Sequence, residues 1–287
     1  RGLAPGVSSR LPIQHDEITG FVSSDAPIVM HATALKGESA CAVGDPDTVH
    51  ILWSTGGDFQ KQALSPTGTD YSAALPALPA GSLVRYYFVA RKADVETIIP
   101  RAAPENTFGF YVGATASVWS DDFEEDLGWT HGLDIGEGNE GEDDWELGSP
   151  RGVGGDPADA YSGSRVWGND LGGDGYNGQY QSGIQNFLES PAINCSDCVG
   201  TRLQYRRWLH VEDGRYDQAR VLVNGSVVWE NPNTNEGDSH KRDFHWSFED
   251  LDISSVADGR EIVIRYELQS DAGVTMGLFS YPILMAA

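Results

Sequence analysis

Apolar and polar residues alternate along much of this chain with the two-residue period of half-buried strands. In residues 48–53, Val49, Ile51 and Trp53 fall on one face. Residues 83–90 (L-V-R-Y-Y-F-V-A) are the strongest such run of the first half. Shorter candidates lie at 27–32, 59–64, 71–75, 95–99 and 107–112. Gly56-Gly57, Pro66-Thr67-Gly68 and Pro79-Ala80-Gly81 punctuate them as turns. About seven strands in about 90 residues is the arithmetic of an immunoglobulin-like or fibronectin-like sandwich.

The second half carries strand candidates at 163–167, 183–190, 202–210, 218–223, 226–230, 242–248 and 261–269. Alternation is plain from Leu203 through Tyr205 to Leu209, and again from Ile262 through Ile264 to Leu268. Asn224-Gly225 between two runs signals a tight hairpin. Strands of this number with long early loops suit a jelly roll. Helical periodicity is scarce, and the most helix-like piece, 248–257, is short. The predicted fold class is all-β: an immunoglobulin/fibronectin-like sandwich followed by a jelly-roll β-sandwich. The expected divisions are an extended linker at 1–24, the first domain at 25–113 and the jelly roll at 118–287. Small uncharged residues, Gly113 to Ser117, join the two domains.

Charge narrows the function. Asp and Glu total 43 against 19 Lys and Arg, a net charge of −24. That argues against nucleic-acid backbones and anionic membranes, which need basic patches. It fits calcium binding, or solubility in salty surroundings. Most of these carboxylates are expected simply to face water. No apolar run approaches about 18 residues, so no membrane span is expected. The first residues lack a charged start and apolar stretch, so a secretory leader is expected to be absent or already removed. With no initiator Met, the chain reads as a mature or excised piece of something longer.

The densest mixture of carboxylates, tryptophans and glycines runs from Trp119 to Gly168. Its pieces include Asp122-Phe123-Glu124, Gly128-Trp129, Asp144-Trp145-Glu146-Leu147-Gly148, Asp156, Ser162-Gly163 and Val166-Trp167-Gly168. Leu188, Ser190-Pro191, Ile193, Trp208-Leu209, Val211-Glu212 and Tyr216-Asp217 follow in order. Over about 100 residues this series resembles the jelly-roll domain that follows the catalytic domain of immune-inhibitor-A-type and fungalysin-type metallopeptidases. It is similar, more distantly, to MAM-type adhesive domains. In the first half, Tyr71, Leu75-Pro76, Pro79, Gly81, Val84 and Tyr86-Tyr87-Phe88 resemble the immunoglobulin-like modules that precede accessory domains in secreted bacterial hydrolases. Domains of the MAM-like kind usually close on a strand with a pair of aspartates. Here no carboxylate follows Asp271, and the tail is apolar.

The resemblance implies a structural Ca²⁺ held by Asp122, Glu124 and Asp156 with loop carbonyls, in keeping with the oxygen ligands that calcium takes. The ordinary alternative is a turn cap at Asp156 and solvated acids elsewhere. Residues 134–144 lack EF-hand spacing and read as a solvated loop. Neither H-E-x-x-H nor G-x-S-x-G is present. Glu212, Asp213 and Asp217 beside Trp208 and Tyr216 are the carboxylates to consider for glycoside cleavage. Exposed rings make sugar platforms, and Tyr176 and Tyr180 in a polar loop, with Trp229 near Asn231, are the candidates. Trp119, Trp129, Trp145 and Trp167 are expected as core plugs. Cys195 and Cys198, in C-S-D-C, suggest a short-loop disulfide or two plain cysteines. Cys41 is expected as a buried free thiol.

The chain is therefore expected to be a non-catalytic accessory or adhesion region, secreted or on a cell surface. It would bind a surface or polymer, carbohydrate or protein, or support a neighbouring hydrolase domain. Two other classes stay open: a structural subunit whose copies join by strand addition, and a glycoside-active jelly-roll enzyme.

Overall fold

The chain divides into two compact units, Arg1–Ala116 and Ser117–Ala287. A computed structural model describes residues 11–18, 21–35, 45–101, 103–135, 143–171 and 178–272, and the backbone of 283–286. The fold class is all-β. Among the described residues the secondary structure is antiparallel β with one four-residue helix. No helix among them is long and apolar enough to cross a membrane.

The first unit contains β1 (Ile13–Gln14), β2 (Ile28–Ala34), β3 (Thr48–Ser54), β4 (Gln60–Ala63), β5 (Ser65–Thr67), β6 (Asp70–Leu75), β7 (Leu83–Lys92), β8 (Val95–Ile99) and β9 (Phe108–Tyr111). One sheet runs β1-β2-β6-β5; the other runs β4-β3-β7-β8, with β9 also paired to β7. The period-two pattern explains the packing. Met30 and Ala32 of β2, Val49, Ile51 and Trp53 of β3, and Val84, Tyr86 and Phe88 of β7 meet in one core.

Residues 1–24, expected as a linker, belong to this unit wherever they are described. Leu11 and Ile13 are buried in its core. β1 pairs with β2, and Val22 bridges to Gly113. His15 places Nε2 2.7 Å from the Tyr86 hydroxyl and its ring 4.7 Å from that of Phe88. Two apolar side chains two residues apart suffice to add an edge strand, even in a polar, proline-bearing run.

The second unit contains β10 (Thr130–Ile135), β11 (Trp145–Gly148), β12 (Val166–Asn169), β13 (Gln185–Glu189), β14 (Ile193–Cys195), β15 (Arg202–Val211), β16 (Gln218–Val223), β17 (Ser226–Glu230), β18 (Lys241–Arg242), β19 (Ser247–Asp252), α1 (Ser254–Ala257), β20 (Arg260–Ile262), β21 (Ile264–Gln269) and β22 (Ile283–Ala286). One sheet has the order β10-β13-β21-β16-β17; a second has β11-β12-β22-β15-β18, with β19 also on β15; β14 and β20 form a separate pair. Tyr205, Leu209 and Val211 of β15 meet Ala219, Val221 and Val223 of β16 and Tyr266 and Leu268 of β21 in the core. The β16–β17 turn takes positive φ at Asn224 (49°) and Gly225 (77°), as an Asn-Gly hairpin requires.

Residues 248–257 are not the helix their composition suggests. β19 occupies the first half of them, and only Ser254–Ala257 is helical. Pairing of β19 with β15 over Arg202↔Asp252 to Arg207↔Ser247 outweighs a weak local preference. The C-terminal strand β22 lies inside a sheet, between β12 and β15.

Candidate functional site

The acidic stretch of the second unit splits into separate pieces. Asp121, not Asp122, is the buried acid of the D-D-F-E run. Its Oδ1 accepts the Phe123 N–H at 2.8 Å and its Oδ2 the Trp129 indole N–H at 2.7 Å. Asp122 is exposed and accepts the Glu124 N–H at 3.2 Å. Glu124 is committed to a different task. Its carboxylate accepts the Ser164 N–H (2.7 Å), the Ser164 hydroxyl (2.8 Å) and the Arg165 N–H (2.9 Å). The Ser164 bonds, then the Arg165 bond, hold its pKa below the usual range. Asp122, Glu124 and Asp156 therefore do not form one ligand set; among the described residues no three His, Cys, Asp or Glu side chains meet in metal-ligand geometry.

Gly163 makes room for Glu124. It has φ +61°, and a Cβ there would lie 2.7 Å from Glu124 Cδ. Gly163→Ala is expected to cost about 1–3 kcal/mol in backbone strain alone. A thermal melt of the variant checks this; an unchanged midpoint would show that the turn does not need glycine.

Asp156 sits in a different and more unusual place. It is only 8% exposed, and neither of its carboxylate oxygens has a hydrogen-bond partner. Three loops converge around it. The turn before it closes through the Asp156 N–H to Val153 O bond, 3.1 Å. Gly178 packs on that turn so closely that a Cβ would lie 2.7 Å from the Val153 carbonyl carbon. The next residue, Gln179, donates its N–H to Asp170 Oδ2 at 3.1 Å. Asp170 in turn donates its N–H to Asp144 O at 2.8 Å.

Asp144 is buried just before β11. Its Oδ1 accepts amide protons from Asn169 (3.0 Å) and Asn186 (2.9 Å), while its Oδ2 is unpartnered. Asn169, 0% exposed, also leaves its Oδ1 unpartnered. Burial, opposed in part by the Asn169 bond and reinforced by Asp170, pushes the Asp144 pKa up to about 7. Burial and then Asp170 push Asp156 up to about 8. These are the marks of buried negative charge without a compensating cation. Of this group the sequence pattern singles out only Asp156 as a ligand; Asp144, Asn169 and Asp170 escape it. The one local signal is Asn169-Asp170, a polar pair that closes the run through Val166 and Trp167 and is as buried as they are.

Of the proposed sugar-stacking residues, the two that are described, Tyr180 and Trp229, are engaged within the unit. Tyr180 is 2% exposed, and its hydroxyl donates to Asp217 Oδ2 at 2.5 Å. Burial, then Asp217, raises its pKa. Trp229 packs against the core, with the Arg207 guanidinium 4.7 Å from its ring centroid. Tyr176 and Cys41 lie outside the described residues, as do 136–142 of the acidic loop. Cys195 and Cys198 are joined as a disulfide, their Cα atoms 4.9 Å apart.

Of the carboxylates considered for glycoside cleavage, Asp213 and Asp217 are occupied, while Glu212 is half-buried and its pKa is raised by burial and then by Asp217. Asp213 is fully buried and accepts N–H bonds from Arg215, Thr234 and Ser239 and the Thr234 hydroxyl. Burial alone would raise its pKa, but these bonds hold it far below the usual range. Asp217 accepts from Tyr180 and from the Asp271 N–H, the latter at 3.0 Å. Both clasp loops.

Partly exposed rings gather elsewhere. Even-numbered residues of β15 face away from the core, placing Arg206, Trp208 and His210 in a row. The Trp208 ring lies 6.0 Å from Trp246 and stacks at 6.5 Å on His210. Phe244, 53% exposed, lies 5.8 Å from His210. Arg206 sits 4.1 Å over the Tyr161 ring and 5.0 Å over Phe248. The Asp156 loop supports this face: the Trp208 indole donates to Gly155 O and that of Trp246 to Asp159 O, each at 3.2 Å.

No family model matches the chain, and no curated protein matches it. Among solved structures, an alpha-L-rhamnosidase from Dictyoglumus thermophilum is similar at 9% identity and a TM-score of 0.28. The match covers 98% of this chain and 27% of that one. The chain thus spans about a quarter of that enzyme's length, and a likeness this weak carries no argument about fold or activity.

Proposed function

We propose that the chain is a non-catalytic extracellular accessory region, secreted or held at a cell surface, with calcium as a structural ion. Its role is attachment to a surface or polymer, which supports a neighbouring hydrolase domain where one is present. The observation that carries this reading is the outer face of β15 and its neighbours. Trp208, Trp246 and Phe244 offer half-buried or exposed rings there, backed by the buried side chains of Arg206 and His210. Accessible aromatic rings stack on the apolar faces of sugars.

The strand-addition alternative is less well supported, because the apolar tail it needs as a donor already fills a place in its own sheet. Retention on insoluble cellulose, chitin, peptidoglycan and gelatin tests attachment. At least one polymer is expected to deplete the chain from solution. Phe244→Ala and Trp246→Ala should each weaken that retention by about tenfold, the effect of losing ~1.4 kcal/mol. Phe244 is exposed, so its loss should leave the fold intact; undiminished retention of both variants would remove this face from the account.

A further inference from the structure

We infer that Asp144, Asp156, Asp170 and the amide oxygen of Asn169 form a binding site for a hard divalent cation of the calcium class, which locks the Asp156 loop beneath the aromatic face. The inference deepens the proposed function and rests on its calcium part, not on attachment. Its basis is a donor set made of oxygen alone. Four of those oxygens are buried and unpartnered: both of Asp156, Oδ2 of Asp144 and Oδ1 of Asn169. An isolated buried carboxylate is costly unless it is paired, hydrogen-bonded, protonated or bound to metal. The charges acting on Asp144 and Asp156 are other carboxylates: Asp170 on both and Asp143 on Asp144.

Carboxylate and amide oxygens on flexible loops suit Ca²⁺ better than Mg²⁺, which demands near-ideal octahedral geometry. No three acids meet at one point among the described residues. Binding must therefore draw the Asp156 carboxylate toward Asp144 and Asp170. Glu124 and Asp122 have no part in it. Because Gly155 O receives the Trp208 indole N–H, closing this loop also steadies Trp208.

The test uses the full chain, freed of metal with a chelator and then titrated with CaCl₂ or TbCl₃. At a hundredfold excess of calcium over Kd, the melting midpoint of the second unit should rise by roughly 5–10 °C. Tb³⁺ luminescence excited through tryptophan should appear and be competed away by Ca²⁺, since Trp145 adjoins Asp144. Asp156→Asn should abolish both responses while melting in chelator at least as high as the wild type. Asp122→Asn should leave both responses intact. A wild type with neither response overturns the inference, whatever the variants do, and so does an unchanged response in Asp156→Asn. A calcium response in a chain that binds no polymer would keep this site and remove the attachment reading; the reverse result would remove the site alone.

Discussion

Cutting the chain before Ile283 is expected to abolish cooperative folding of the second unit. β22 pairs with β12 through Trp167↔Met285 and Gly168↔Leu284, and with β15 from Arg206↔Ala286 to Leu209↔Ile283. Its removal bares the facing edges of both strands in the middle of a sheet. Each buried backbone group left unpaired costs about 1–3 kcal/mol. A few such groups approach the ~5–15 kcal/mol stability of a whole domain. Trp167 and Leu209, both core residues, lie on the strands laid bare. The truncated chain should lose the melting transition of this unit and aggregate through its open edges. A synthetic peptide of residues 281–287, supplied during refolding, should restore part of the transition. A truncated chain that stays monomeric and melts within about 2 °C of the intact one, well under the shift expected for the loss of even a few hydrogen bonds, would contradict the placement of β22.

The second large effect lies in a buried ion cluster. Arg207 points into the core and bonds Asp243 (3.0 Å) and Glu249 (2.8 Å). Asp243, 0% exposed, also accepts the Leu209 N–H at 3.0 Å and lies 3.4 Å from Lys241 Nζ. Burial alone would depress the Arg207 pKa, but Asp243 and then Glu249 raise it, so the charge stays. Removing one partner of a buried pair leaves an uncompensated charge and costs about 3–5 kcal/mol. Asp243→Ala should therefore lower the melting midpoint of the second unit by roughly 6–20 °C. Arg207→Met in the same chain should recover part of that loss, since the guanidinium that lost Asp243 is then gone. Strictly additive losses in the double variant would mean that the two groups do not act as a pair.

Much of the all-β architecture was legible in local pattern. β2 and β16 alternate buried with less buried positions along their length, and the Asn224-Gly225 turn announces its hairpin. What was not legible depends on distant partners. β22 is a short apolar tail, and nothing local says that it pairs with Trp167 more than a hundred residues earlier. Tyr180 sits in a polar stretch and looks exposed until its hydroxyl meets Asp217, 37 residues on. Within the acidic run, the chain at Phe123 takes φ +61°, which breaks the alternation. Asp121 is then buried against Trp129, while Asp122, which the resemblance implies as a ligand, faces outward. The buried acids Asp144, Asp156 and Asp170 were hidden for the same reason: they come from three loops, and no spacing along the chain records their burial.

Attachment without cleavage is the claim to test most directly. The chain is incubated with each insoluble polymer in calcium buffer, and protein left in solution is measured together with soluble fragments released. The account predicts saturable depletion of the chain on at least one polymer and no fragments above the protein-free control. Fragments that accumulate with time, or a chain left wholly in solution by every polymer, would contradict it.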